Sequence, residues 1–188
     1  MRQSNENDQI AGILPTIRAC IAADLPEMLQ IINTAAVAYQ GVIPVDRWHE
    51  PYMPLGELQA EIAAGVCFIG NVLNGELVGV MGVQTVRNVR LIRHAYVLPK
   101  WQGHGIGSKL IDHLRRSDDR PILIGTWAAA SWAINFYKRH GFELVPQNVV
   151  APLLRAYWNV PERQVETSVV LSFPALMTHE ALRLIAAG

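Results

Sequence analysis

The sequence predicts an α/β (α+β) fold in which helices pack on a mixed sheet. Three observations carry this. Strand-like apolar runs alternate along the chain with runs of helical spacing. Asn74-Gly75 joins two strand-like runs, the signature of a tight hairpin. A glycine-rich turn over residues 103–107 joins an apolar strand-like run to an amphipathic helix.

Residues 1–12 are polar with nothing to bury and read as a disordered lead-in to a single domain over residues 13–188. Residues 15–19 read as a first strand with Ile17 turned inward. Asp24 then offers an N-cap, Pro26 sits in the first turn, and Met28, Ile31, Ile32, Ala35 and Ala36 recur at helical spacing. Residues 40–54 hold four prolines and glycines and read as a long connection, with Tyr39, Trp48, His49 and Tyr52 clustered along it. Helical periodicity returns over residues 55–64 and stops at Gly65.

The hairpin strands span residues 66–73 and 77–86, and residues 89–98 form a third run, apolar enough to be covered on both faces and closed by Pro99. Ile106, Leu110, Ile111 and Leu114 mark a helix, residues 121–126 a short buried strand, and residues 128–140 a helix ended by Gly141. A strand over residues 142–145, a helix turn within residues 147–159, a strand over residues 165–171 and a closing helix opened by Pro174 complete the chain.

Composition narrows the partners. Of the 188 residues, 51% are hydrophobic, enough for a sizeable core. Sixteen basic and sixteen acidic residues cancel, which argues against nucleic acid held by bulk charge. Cys20 and Cys67 form no C-x-x-C pair, suit a reducing compartment, and offer neither a disulfide framework nor a zinc site. The histidines show no H-E-x-x-H spacing, so no metal site is expected. No apolar run reaches the ~18 residues of a membrane span, and the polar start lacks a signal-peptide core; a cytoplasmic location is expected.

The chemistry concentrates in Gln102-Gly103-His104-Gly105-Ile106-Gly107, which reads Gln-x-x-Gly-x-Gly. Glycines there let successive backbone N–H groups converge on one anion, with the positive end of the following helix aimed at the same point. That is equipment for a pyrophosphate. A dinucleotide fingerprint counted from Gly103 would need a third glycine where Ser108 stands and a carboxylate roughly 20 positions on, which is missing. A P-loop needs Gly-Lys-Ser/Thr, and Gly107-Ser108-Lys109 has the wrong order. A purely structural glycine turn is the remaining alternative.

Together with Ala133-Ile134-Asn135-Phe136-Tyr137-Lys138-Arg139-His140-Gly141-Phe142, this loop resembles the paired signatures of the GNAT superfamily of acetyl-CoA-dependent N-acetyltransferases. The resemblance implies a mostly antiparallel, twisted sheet flanked by helices, with a splayed central strand pair. It implies acetyl-CoA as co-substrate and direct attack of an amine on its thioester. The backbone of Val97 and Leu98 would hold the pantetheine arm, and Gln102, Gly103, His104, Gly105, Ile106, Gly107 and Ser108 the pyrophosphate. Tyr137 would protonate the departing thiolate, a role a phenol suits; a core tyrosine is the competing reading.

Two family features are missing. An asparagine that touches the cofactor in many relatives is replaced by Ala130, and a glutamate acting as general base is replaced by Leu91. His94, on the same strand, is the candidate base, set against the equal reading of a hydrogen-bonded core histidine; Glu57 and Glu61 are lesser candidates. Residues 39–52 would cap the acceptor site, where aromatic rings could hold an ammonium. Trp127 and Trp132 read as core. The expected partner is a small-molecule amine, without nucleic acid or membrane, and the helix over residues 175–186 offers a surface for a homodimer. A non-catalytic acetyl-CoA sensor or partner-binding module is the alternative function.

Overall fold

The computed structural model describes residues 15–188; the proposed lead-in over residues 1–12 lies outside them. Seven strands form one sheet: β1 (Thr16–Ala19), β2 (Cys67–Leu73), β3 (Glu76–Val86), β4 (Val89–Val97), β5 (Ile122–Trp127), β6 (Glu143–Leu144) and β7 (Ser168–Phe173). Their spatial order is β1-β2-β3-β4-β5-β7-β6, antiparallel throughout except for the parallel β4–β5 pair. The expected hairpin turn is present: Asn74 and Gly75 both take positive φ, 51° and 85°, as a turn matched to strand twist requires.

Among the described residues, seven α-helices flank the sheet: α1 (Leu25–Ala36), α2 (Leu55–Ala63), α3 (Ile106–Ser117), α4 (Ser131–Arg139), α5 (Gln147–Tyr157), α6 (Glu162–Thr167) and α7 (Thr178–Ala186). Each buries the apolar stripe its spacing provides. Ile106, Leu110, Ile111 and Leu114 of α3 pack with Met81, Ile92, Ile124 and Tyr137 in one core. Met28, Ile31 and Ile32 of α1 and Leu58 of α2 pack with Phe68, Leu77 and Val80 in a second. Helices α5 and α7 cover Leu91, Leu123 and Val170 in a third.

Four elements differ from expectation. Helix α4 begins at Ser131, because residues 128–130 form a turn first. The segment after β6 is a full helix, α5, despite Pro152 inside it; burial of Val149, Val150, Leu153 and Leu154 outweighs the lost hydrogen bond. Val165 lies in α6 rather than in a strand, since Pro161 starts a helical turn that seats it in the third core. The closing helix starts at Thr178, not at Pro174.

Strand β4 departs from expectation where function is concerned. Val89 to Ile92 are covered on both faces, but its second half is only partly buried. Pairing with β5 ends after Ile92–Ile124, although β5 continues to Trp127 along β7. The cause is a bulge: Val80 faces Tyr96 while Gly82 faces Arg93, so β4 carries one extra residue. His94 sits in it at φ +50°, a left-handed conformation rare outside glycine. Gly82 allows the approach, since a Cβ there would stand 2.9 Å from the Arg93 carbonyl oxygen. Beyond the bulge, β4 and β5 splay.

Candidate active site

Two cavities border the splay. The larger, about 610 Å³, lies among β4, α3 and α4 and is lined by Val97, Gln102, Gly103, Gly105, Ile106, Gly107 and Ser108. The smaller, about 150 Å³, is lined by Tyr52, Arg93, His94, Thr126, Trp127 and Trp158 among others. Tyr39, Ala95, Tyr96 and Tyr137 line both.

At the larger cavity the glycines divide their work. Gly103 and Gly105 have φ of +81° and +75°, and Gly105 is the left-handed N-cap of α3. Gly107 serves packing instead: a Cβ there would meet the Phe136 ring at 2.9 Å, so its absence lets α3 lie against α4. The N–H groups of residues 103–108 find no backbone carbonyl partner among the described residues. An unsatisfied row of donors at a helix N-terminus is a ready anion cradle, and the residues present fit a pyrophosphate.

The predicted cofactor-site residues are not all brought there. The Leu98 N–H is spent on the Val78 carbonyl, 3.0 Å away, and its side chain packs with α1 and α2; Leu98 therefore does not line the cleft. Alternation along the strand turns the Val97 backbone toward the gap, where its carbonyl accepts from the Gln102 side-chain amide at 3.1 Å. Gln102 thus braces the loop against the strand. His104 does not line the cleft; its Nδ1 lies 3.0 Å from the Gln102 carbonyl oxygen and its ring stands edge-on to Trp101. Arg139 and His140 line the cleft but were not singled out in the sequence. The signal was their place at the end of the Phe-Tyr helix.

Tyr137 is 6% exposed, at the junction of the two cavities. Burial, aided by Tyr39, pushes its phenol well above the ordinary value of 10.0, so it stays protonated and can donate. Tyr39 is pushed up to about 12 by burial and by Tyr52, and Tyr96 is raised by burial. Tyr39 and Tyr52 stack with ring centres 6.2 Å apart, Trp48 tilts against Tyr52 at 5.5 Å, and Tyr96 stands edge-on to Tyr39 and Tyr52. Trp127 is buried as expected, but Trp132 is 42% exposed and leans on Tyr39 at the cleft, so it is not core.

The bulge turns the His94 ring toward α2. It stacks on Phe68 at 6.0 Å, and its Nε2 lies 3.3 Å from Glu61 Oε2. Arg93 donates to the other Glu61 oxygen at 3.0 Å and to the Gln84 side-chain oxygen at 3.0 Å. Burial raises the Glu61 carboxyl, but His94 and Arg93 outweigh it and hold it below its ordinary value. Glu57 does not line either cavity. Leu91 is fully buried on the α5 side and Ala130 is fully buried near Trp127, so neither position can contribute a polar group.

Residues 64–144, which run from the end of α2 through β6, match the family model described as an acetyltransferase (GNAT) domain. Over those residues the chain is similar to a GNAT acetyltransferase domain. No curated protein matches it in sequence. Among solved structures, the PaiA N-acetyltransferase from Thermoplasma acidophilum in complex with coenzyme A is 16% identical with a TM-score of 0.63, over 85% of this chain and 98% of that one. The ribosomal-protein-S18-alanine N-acetyltransferase from Escherichia coli is 16% identical with a TM-score of 0.58, over 85% and 92%. A putative acetyltransferase from Salmonella typhimurium with its cofactor acetyl-CoA is 22% identical with a TM-score of 0.53, over 84% and 92%. These likenesses show the fold of those acetyltransferases over most of the chain. No helix among the described residues is long and apolar enough to cross a membrane.

Proposed function

We propose that this GNAT domain acetylates the amino group of a small molecule, using acetyl-CoA as co-substrate. The observation that carries the reading is the pair of cavities at the β4–β5 splay, a cleft bordered by unsatisfied N–H groups and a small aromatic chamber, which share Tyr137 in their walls. Two cavities that share a wall allow two substrates to meet end to end. Holding both turns a bimolecular reaction into an intramolecular one.

Bound in the larger cleft, acetyl-CoA supplies a thioester carbon for the amine to attack and a thiolate to leave. The N–H groups of residues 103–108 would hold the pyrophosphate, with Ser108 beside them, and the Val97 backbone would face the pantetheine arm. Tyr137, kept protonated by burial, would donate to the thiolate sulfur.

His94 would take the proton of the incoming ammonium, with Glu61 as its positioning residue. A carboxylate at Nε2 favours the tautomer with hydrogen on that nitrogen and leaves the Nδ1 lone pair to accept. Arg93 fixes the Glu61 carboxylate from its far side. Tyr39, Tyr52 and Tyr96 offer ring faces and edges to the acceptor near the point of transfer.

The test is acetyl-CoA-dependent thiol release over a panel of small amines, alongside peptides with free amino termini, since one structural neighbour is named for a ribosomal-protein alanine. Turnover with a small amine supports the reading. Turnover with peptides alone moves the acceptor to a protein terminus. Stabilisation by acetyl-CoA with no turnover on either panel would favour a binding module instead.

A further inference from the structure

The cleft read above as the cofactor site has an unusual charge balance. Among the described residues lining it, only Arg139 and His140 can carry positive charge, and none is a carboxylic acid. A diphosphate brings two negative charges, so one permanent side-chain cation leaves the second to the N–H groups of residues 103–108 alone.

His140 is held where a second charge would count. It caps the C-terminal end of α4, and its Nε2 lies 3.0 Å from the Ser108 hydroxyl in the first turn of α3. Its ring stands edge-on to Phe136 at 4.8 Å, the same ring against which Gly107 packs. Its carbonyl accepts from Arg115 at 3.2 Å, which ties the α4 end to α3. The imidazole is therefore fixed beside the unsatisfied N–H groups rather than free in solvent.

We propose that His140 is a cofactor-binding residue that takes up a proton when the diphosphate binds, completing the charge balance of the cleft. This rests on the acetyl-CoA reading of the site. In the neutral ring, Nε2 and Ser108 share a single hydrogen when the proton sits on Nδ1. In the protonated ring Nε2–H donates to the Ser108 oxygen, so the Ser108 hydroxyl hydrogen is released toward the phosphate. Protonation thus adds both a charge and a donor.

The groups around His140 are consistent with an unprotonated resting state. Burial lowers its affinity for a proton, Arg139 on its own helix and Arg115 on α3 lower it further, and Asp112 on α3 opposes them, with a net shift below the ordinary 6.5. An arriving diphosphate reverses that balance.

The experiment is calorimetric titration with dephospho-CoA, whose diphosphate is fully ionised from about pH 5.5 to about pH 8 and which lacks the titrating 3′-phosphate. Runs in two buffers of different ionisation enthalpy read proton uptake directly. The wild-type chain should take up a fraction of a proton and bind about three- to tenfold more tightly at the acid end. His140→Gln, which keeps a polar partner for Ser108, should bind with a flat pH profile and no uptake. Equal profiles in the two proteins overturn the proposal, as does a slope abolished by His104→Gln instead. Should His140→Gln not fold, an NMR titration of the wild-type His140 ring decides. A pKa raised by dephospho-CoA supports the link, and an unchanged one overturns it. Absence of binding by CoA, acetyl-CoA and dephospho-CoA at every pH removes the cofactor reading itself, a result distinct from binding without proton linkage.

Discussion

His94 Nε2 on the β4 bulge lies 3.3 Å from Glu61 Oε2 on α2, and neither atom has another partner among the described residues. The two residues are far apart in sequence, and only the left-handed turn at His94 brings its ring to that helix. Glu61→Gln should therefore act through His94. It should lower kcat about tenfold. His94→Gln should lower kcat about a hundredfold, and the double variant should be no worse than His94→Gln alone. Turnover unchanged in both single variants would return the pair to the core.

Tyr137→Phe should lower kcat about a hundredfold with little change in the Kd for acetyl-CoA. The phenol is buried beside Tyr39, so removing only its oxygen keeps the packing. Thiol release in steady state and calorimetric binding separate the two effects. Equal loss of affinity and turnover would mean that the hydroxyl holds the substrate rather than protonating its leaving group.

Gly107→Ala should destabilise the chain by about 1 to 3 kcal/mol, because the Phe136 ring has to move before α3 and α4 can close. A fall of about 2 to 4 °C in Tm per kcal/mol is expected for a chain of this size. Gly107→Ala with Phe136→Leu should recover part of the loss, and failure to recover would place the strain elsewhere.

Asp24 accepts from both Arg18 guanidinium nitrogens at 2.6 and 2.8 Å and from the Ile21 N–H at 2.7 Å. The Arg18 hydrogen bonds hold its carboxyl below the ordinary 3.8. A depressed folded-state value means that the contribution is complete above 3.8 and is lost as pH falls through the folded value. Asp24→Asn should lower the urea midpoint near neutral pH and flatten its decline below about pH 4. Parallel declines in the two proteins would show that the pair does not couple folding to acid.

The legible parts of the fold were those whose signal is local. Asn74-Gly75 dictates its own turn, and α1 and α3 announce themselves by apolar spacing. The turn over residues 103–107 was legible because its backbone takes positive φ at Gly103 and Gly105, a conformation that favours glycine. Gly107 shows the limit: a glycine needed for contact with Phe136 looks the same in sequence as one needed for φ. The bulge was invisible, since His94 carries no turn signature and its conformation depends on Gly82 across the strand pair. Leu98 lies outside the cleft for a related reason: proximity along the chain does not tell which way a strand residue's N–H will point.

The short β4–β5 ladder has a mechanical consequence. Three residue pairs join these strands, whereas β5 and β7 share six. The sheet is two leaves stitched along one edge, and a ligand threaded between them acts as the missing stitch. Amide exchange in the second half of β4 and the end of β5 should therefore slow on occupancy, and an empty protein should yield first along that seam.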